Sequence, residues 1–163
     1  MIDAETYARA VGVLDAFRAR GWTLATAESC TGGLVAGALT AVPGSSDVVD
    51  RGFVTYSNAA KMAMLGVSEA TLAAHGAVSE ETARAMAGGA RAAAGVDVAV
   101  SITGVAGPGG GSVAKPVGLV HFACARRDGS VEHRERRFGG LSRDEIRHRS
   151  VLEALDLLAR AAV

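Results

Sequence analysis

The sequence predicts an α/β fold: a three-layer α/β/α sandwich with a mixed, mainly parallel sheet and a C-terminal antiparallel hairpin. Three observations carry this prediction. Segments with helical and strand-like apolar spacing alternate along most of the chain. The run VDVAVSITG, 96–104, is almost continuously apolar, as a strand buried on both faces must be. Near the C-terminus two strand-like segments are separated only by the turn RDGS, which makes them a hairpin.

Each element has its own signal. Tyr7, Ala10, Val11, Leu14 and Phe17 recur at helical spacing, and Gly21 stops that helix. TLATAES, Thr23 to Ser29, reads as a short strand; TGG follows at once, and LVAGALTAV reads as a helix ending before Pro43. Ser29 to Gly33 is therefore a strand–turn–helix junction. Val48 to about Ser57 is a second strand, and NAAKMAML is a short helix ended by Gly66. Ser68 and Ser79 each open a helix with acids in the first turn, where the helix dipole favours them; the second runs to about Ala94 and stops at Gly95. The apolar run 96–104 then enters GVAGPGGGSVAKP, a glycine-rich loop with no helix after it. VGLVHFACA and VEHRERRF form the hairpin, and Ser142-Arg-Asp-Glu145 is a capping box opening a last helix to about Arg160.

With 163 residues, 49% of them hydrophobic but only 4% aromatic, residues 1–163 are expected to form one domain with a core of Ala, Val and Leu. The formal net charge is zero, and the Arg-rich stretch Arg126, Arg127, Arg134, Arg136, Arg137 is interrupted by acids. It reads as a solvated hairpin, not a nucleic-acid footprint. No apolar run reaches the roughly 18 residues of a membrane span, and MIDAETYARA has acids where a signal peptide carries basic residues. Cys30 and Cys124 make neither a disulfide framework nor a metal-ligand spacing. A cytoplasmic protein without nucleic-acid or membrane partners is expected, and base rates for symmetric assemblies favour a homodimer.

Ligands of open α/β sheets bind beyond the carboxyl ends of the strands. Three polar stretches fall at such ends: AESCTGG, TYSNAAK and SITGVAGPGGG. In the first, Ser29 sits beside the unpaired N–H groups of a helix N-terminus, which can hold a phosphate or a developing oxyanion; Ser29 and Thr31 are equally suited to capping that helix. Cys30, without a local histidine, reads as a small buried filler. In the second stretch the informative residue is Lys61. Of 17 basic residues only Lys61 and Lys115 are lysines. A serine nucleophile needs a base, and none of His75, His121, His133 or His148 lies in these junctions. A buried lysine can serve when its pKa falls, whereas an arginine does not deprotonate. Ser57, four residues before Lys61, is a rival nucleophile to Ser29, and Tyr56 stands ready to orient base or substrate. In the third stretch successive glycine N–H groups suit an anion, without a nucleotide-binding fingerprint. Ser112-Val-Ala-Lys115 matches the S-x-x-K pattern of penicillin-binding proteins, but Pro116 and a strand follow where a helix should run, so Lys115 reads as a loop anchor.

Together TAESCTGGLVA, RGFVTYSNAAKMAMLGV, HGAVSEETARAMAGGA and SITGVAGPGGG…KPVG resemble the C-terminal domain of the competence/damage-inducible protein CinA, the nicotinamide-nucleotide amidase family, in its stand-alone form. The resemblance covers roughly Thr26 to Phe122. It implies hydrolysis of nicotinamide mononucleotide to nicotinic acid mononucleotide and ammonia, in pyridine nucleotide recycling, with no metal or organic cofactor. It implies Ser29 as nucleophile, Lys61 as base and Tyr56 close by. Cys30, Thr31, Gly32, Gly33 and Gly104 would supply oxyanion-binding N–H groups, and the Thr103-Gly104 region or Arg147 would hold the 5′-phosphate. The alternatives are a pyridine-nucleotide-binding domain without catalysis and an interaction domain in competence or DNA damage.

Overall fold

A computed structural model describes residues 1–163. The elements follow the expected order: α1 (Ala4–Arg20), β1 (Leu24–Glu28), α2 (Leu34–Thr40), β2 (Val49–Val54), α3 (Asn58–Leu65), α4 (Glu69–His75), α5 (Glu80–Ala94), β3 (Val98–Gly104), β4 (Leu119–Ala125), β5 (Val131–Arg137) and α6 (Arg143–Ala161). A short 3₁₀ turn at Ser45–Asp47 precedes β2. The sheet order is β2-β1-β3-β4-β5. β1 pairs in parallel with β2 and β3, while β4 runs antiparallel to both β3 and β5. The sheet is thus mixed, with the antiparallel hairpin along one edge, as expected.

The side-chain alternation of the central strands explains the three layers. Leu24, Val98, Val100, Ile102, Val120 and Phe122 face α1, α2 and α6 and join the largest core cluster. The opposite face is built of small residues: Ala25, Ala27 and Ala99 meet Met86 and Ala90 of α5, and Ala123 and Ala125 meet its Ala83 and Ala87. An alanine-lined sheet lets α5 lie close, and α3 and α4 pack outside it. No helix is long and apolar enough to cross a membrane.

The second strand ends three residues before the expected Ser57. Thr55 still donates its N–H to Glu28 O at 2.8 Å, but its carbonyl turns to a side chain of α3, and Ser57 becomes the N-cap of that helix, its hydroxyl accepting from Ala60 N. The Arg-rich hairpin is neutralised but, against expectation, only partly solvated: β4 is buried throughout, and Arg134, its side chain 13% exposed, bridges Glu153 and Asp156 of α6, while Arg136 shares Glu153 and Arg126 pairs with Glu132.

One glycine ties this packing to function. A Cβ on Gly89 of α5 would lie 1.9 Å from the carbonyl oxygen of Leu65 at the end of α3. The backbones of the two helices touch there, and α3 could not stay in place. Gly89→Ala is expected to destabilise by about 1–3 kcal/mol through overpacking. The adjacent Gly88 has nothing within 4 Å of its Cβ position, so Gly88→Ala should stabilise slightly through helix propensity. Thermal melts of the two variants check this opposition of sign.

Candidate active site

The carboxyl ends of β1, β2 and β3 do converge. A cleft of about 300 Å³ is lined by Ser29, Cys30, Tyr56, Asn58, Lys61, Ala77, Val78, Thr103, Gly104, residues 105–107, 109 and 110 of the glycine-rich loop, and Arg143. This volume is at the small end for ligand sites.

Lys61 is the fourth residue of α3, one turn beyond the Ser57 cap, and is 1% exposed. Its Nζ lies 3.0 Å from Ser29 Oγ and donates to Thr55 O at 2.8 Å. Its partners are neutral oxygens, not a carboxylate, so nothing offsets the loss of water. Burial, the larger effect, therefore lowers its pKa, with the Cys30 sulfur acting in the opposite direction. The chain separation from Ser29 is closed by the sheet. Parallel pairing sets Glu28 opposite Val54, the Thr55 N–H continues that ladder to Glu28 O, and the Thr55 carbonyl receives Lys61. Ser57 Oγ is exposed and occupied by the Ala60 N–H, so it is Ser29 that the lysine meets.

The turn after Ser29 is held from two sides. From within, the fully buried Glu28 carboxylate accepts from the Thr31 hydroxyl at 2.7 Å and from the N–H groups of Gly33, Val35 and Ala36 at 3.1, 3.1 and 2.9 Å. It thereby fills the N-terminus of α2, where the dipole favours an anion. Glu28 was missed in the sequence; its signal is an acid ending an otherwise apolar strand just before a helix start. From outside, Arg147 donates to Cys30 O at 3.2 Å and Thr31 O at 3.3 Å. Gly32 and Gly33 both have positive φ, 60° and 98°, which glycine alone adopts freely. The N–H groups of Cys30 and Thr31 donate to no protein acceptor, whereas Gly32 N donates to Ser29 O.

The expected site residues divide accordingly. Ser29, Cys30, Tyr56, Lys61, Thr103 and Gly104 line the cleft. Thr103 Oγ1 is engaged with Ala77 O at 2.7 Å. Thr31, Gly32 and Gly33 build the turn behind it. Arg147 does not reach the cleft; it lines a separate cavity with Met1, Ile2, Asp3, Thr6 and Leu34. The arginine at the cleft is Arg143, one helical turn earlier, which donates to Gly107 O at 2.6 Å and to the Tyr56 hydroxyl at 3.0 Å. Arg143 and Asn58 were both missed. Burial pushes the Cys30 thiol up to about 11, so it stays protonated. The S-x-x-K stretch is a loop turn: Ser112 Oγ accepts from Lys115 N, and the Lys115 ammonium donates to His75 O. No three His, Cys, Asp or Glu side chains come together in a metal-holding arrangement.

Fold and cleft together define an α/β protein with a small-molecule site at the carboxyl ends of its parallel strands, where a buried lysine meets a serine hydroxyl. The family model described as the CinA C-terminal domain matches residues 6–162, and the chain belongs to that family. It is 52% identical over 145 residues to the nicotinamide-nucleotide amidohydrolase PncC of Enterobacter agglomerans, covering 89% of this chain and 88% of that one. The PncC of Escherichia coli K12 is also 52% identical, over 97% of this chain and 95% of its own. A competence-damage inducible protein of Symbiobacterium thermophilum is 50% identical, but this chain spans only 38% of its length. Among solved structures, the competence/damage-inducible protein CihA of Agrobacterium tumefaciens superposes with TM-score 0.98 at 50% identity, covering 100% of this chain and 99% of that one.

Proposed function

We propose that this protein hydrolyses the carboxamide of nicotinamide mononucleotide, releasing ammonia and nicotinic acid mononucleotide, with Ser29 as nucleophile and Lys61 as base. The observation that carries the reading is the 3.0 Å approach of a buried Lys61 Nζ to Ser29 Oγ at the floor of the cleft. Relatives named nicotinamide-nucleotide amidohydrolase, 52% identical over most of their length, support this choice of substrate.

The neutral amine of Lys61 donates to Thr55 O and takes the Ser29 hydroxyl proton through its lone pair. Ser29 Oγ bonds to the carboxamide carbon, and the carbonyl π pair moves onto oxygen. The resulting oxyanion is met by the free N–H group of Cys30, which lines the cleft. As the C–N bond breaks, the lysine ammonium returns its proton to the leaving nitrogen and ammonia departs. Water, deprotonated by the same amine, then cleaves the ester, restoring Ser29 and releasing the acid. Tyr56 and Asn58 flank the base along the cleft wall.

Arg143 at the rim suits the 5′-phosphate, because its guanidinium can exchange the Gly107 carbonyl and Tyr56 hydroxyl for phosphate oxygens. A charge-assisted contact of this kind is worth about 1.5–3 kcal/mol. Arg143→Ala should therefore raise KM for the mononucleotide by roughly 10- to 100-fold, with little change for nicotinamide riboside, which lacks the phosphate. Ammonia release from the mononucleotide, with free nicotinamide and the riboside as controls, tests the whole reading. Release at equal rates from all three sinks the nucleotide assignment, and release from none sinks the amidase.

A further inference from the structure

We infer that the cleft is also a proton-coupled carboxylate site, in which the acid product binds together with a proton and restrains the enzyme; the inference rests on the amidase reading above. The charges around the cleft carry it. None of the lining residues is an acid, and only two are bases, Lys61 at the floor and Arg143 at the rim. Arg143 is held by Gly107 O and the Tyr56 hydroxyl. Lys61 Nζ has two neutral partners, Ser29 Oγ and Thr55 O. The neighbouring elements send it no carboxylate. Glu28 of β1 turns to the start of α2, where Thr31, Gly33, Val35 and Ala36 donate to it. The Cys30 thiol stays protonated. α3 carries no other charged residue, and the first-turn acids of α5, Glu80 and Glu81, lie against His133 and His75. Lys61 is thus a buried amine for which the protein supplies no counter-ion.

The reaction supplies one. The acyl carbon stays bonded to Ser29 Oγ until the last step, so the oxygens of the product form within reach of a Nζ that lies 3.0 Å from that Oγ. Hydrolysis of the ester first gives a carboxylic acid and the Ser29 hydroxyl. Carboxylic acids titrate near about 4, and even strongly buried lysines at about 5–6 or above. The acid O–H bond therefore breaks, its proton bonds to the Lys61 lone pair, and the complex becomes carboxylate and ammonium. Such a contact is charge-assisted and stronger than the contact of a neutral amine with an amide. Acid nucleotide entering from solution reaches the same complex by taking up a proton. It selects the protonated enzyme, which is the inactive form. Its affinity should therefore rise as pH falls, about tenfold per unit, until the free lysine is itself protonated.

The test is calorimetry of nicotinic acid mononucleotide binding, run in pairs of buffers with different ionisation enthalpies so that proton uptake is counted directly. Nicotinamide mononucleotide bound to Ser29→Ala, where it does not turn over, is the control. It carries the same phosphate and ring, so the difference between the two ligands isolates the carboxylate. The acid should take up about one proton more than the amide at pH values above the lowered Lys61 pKa. Lys61→Met should abolish the excess and weaken the acid about 10- to 100-fold at the low-pH end, the loss expected for one charge-assisted contact. In steady-state assays of the wild type, inhibition by the acid should strengthen with falling pH over the same range. Equal proton uptake by acid and amide overturns the proposal, and so does an excess that persists in Lys61→Met. A wild type that releases no ammonia from the amide, yet binds the acid with the extra proton, would instead fault the amidase reading and leave the carboxylate site standing.

Discussion

Ser29→Ala is expected to reduce ammonia release from nicotinamide mononucleotide by about 10⁴- to 10⁶-fold, the range seen when a hydrolase loses its covalent nucleophile. Ser57→Ala should stay near the wild-type rate. The contrast follows from what each hydroxyl does. Ser29 Oγ lies against Lys61 Nζ, while Ser57 Oγ caps α3. Loss of that cap lowers stability by about 1 kcal/mol without removing a reacting atom. Michaelis kinetics with a thermal melt of each variant separates the two. A Ser57→Ala enzyme that folds but does not turn over, beside an active Ser29→Ala, would move the nucleophile to residue 57.

Lys61→Arg should lower kcat by about 10²- to 10⁴-fold, because a guanidinium cannot give up its proton near neutral pH. Lys61→Met should do the same. The pH dependence follows from the direction of the lysine shift. Burial lowers the Lys61 pKa below its ordinary 10.5, and the neutral amine is the active form. Activity should therefore be present above the lowered pKa and fall away as pH drops through it, with the acid limb of the rate profile below the usual lysine range. Stability moves with it. Between the lowered pKa and 10.5 the unfolded chain binds the proton that the folded chain has lost, so wild-type stability rises with pH across that window. Relative to wild type, Lys61→Met should gain stability as pH falls through the same window while remaining inactive. Melts of both proteins at several pH values check the sign.

Much of the fold was legible because its punctuation is local. Gly21, Gly66 and Gly95 end helices in the left-handed conformation, and Ser68, Ser79 and Ser142 cap helix starts. The apolar run of β3 reads as the central strand it is, flanked by β1 and β4. The convergence of three strand ends was legible for the same reason. The choice between Ser29 and Ser57 was not, since it depends on parallel pairing between β1 and β2, a long-range contact that no local pattern encodes. Arg143 and Arg147 are one helical turn apart on α6, and which of them reaches the cleft is decided by how α6 lies against the glycine-rich loop. Glu28 looked like an ordinary polar residue in TAES. Its burial becomes visible only when four donors from the start of α2 are seen to close on it.

The account turns on a covalent ester at Ser29, and partitioning with hydroxylamine tests it most directly. The enzyme is incubated with nicotinamide mononucleotide and increasing hydroxylamine, and ammonia, acid nucleotide and hydroxamate nucleotide are measured together. The account predicts ammonia equal to the sum of the two nucleotide products, with a growing share of hydroxamate as the amine competes with water for the ester. Ammonia release accompanied only by the acid, at every hydroxylamine concentration, would mean that water attacks the amide directly and would contradict the Ser29–Lys61 mechanism.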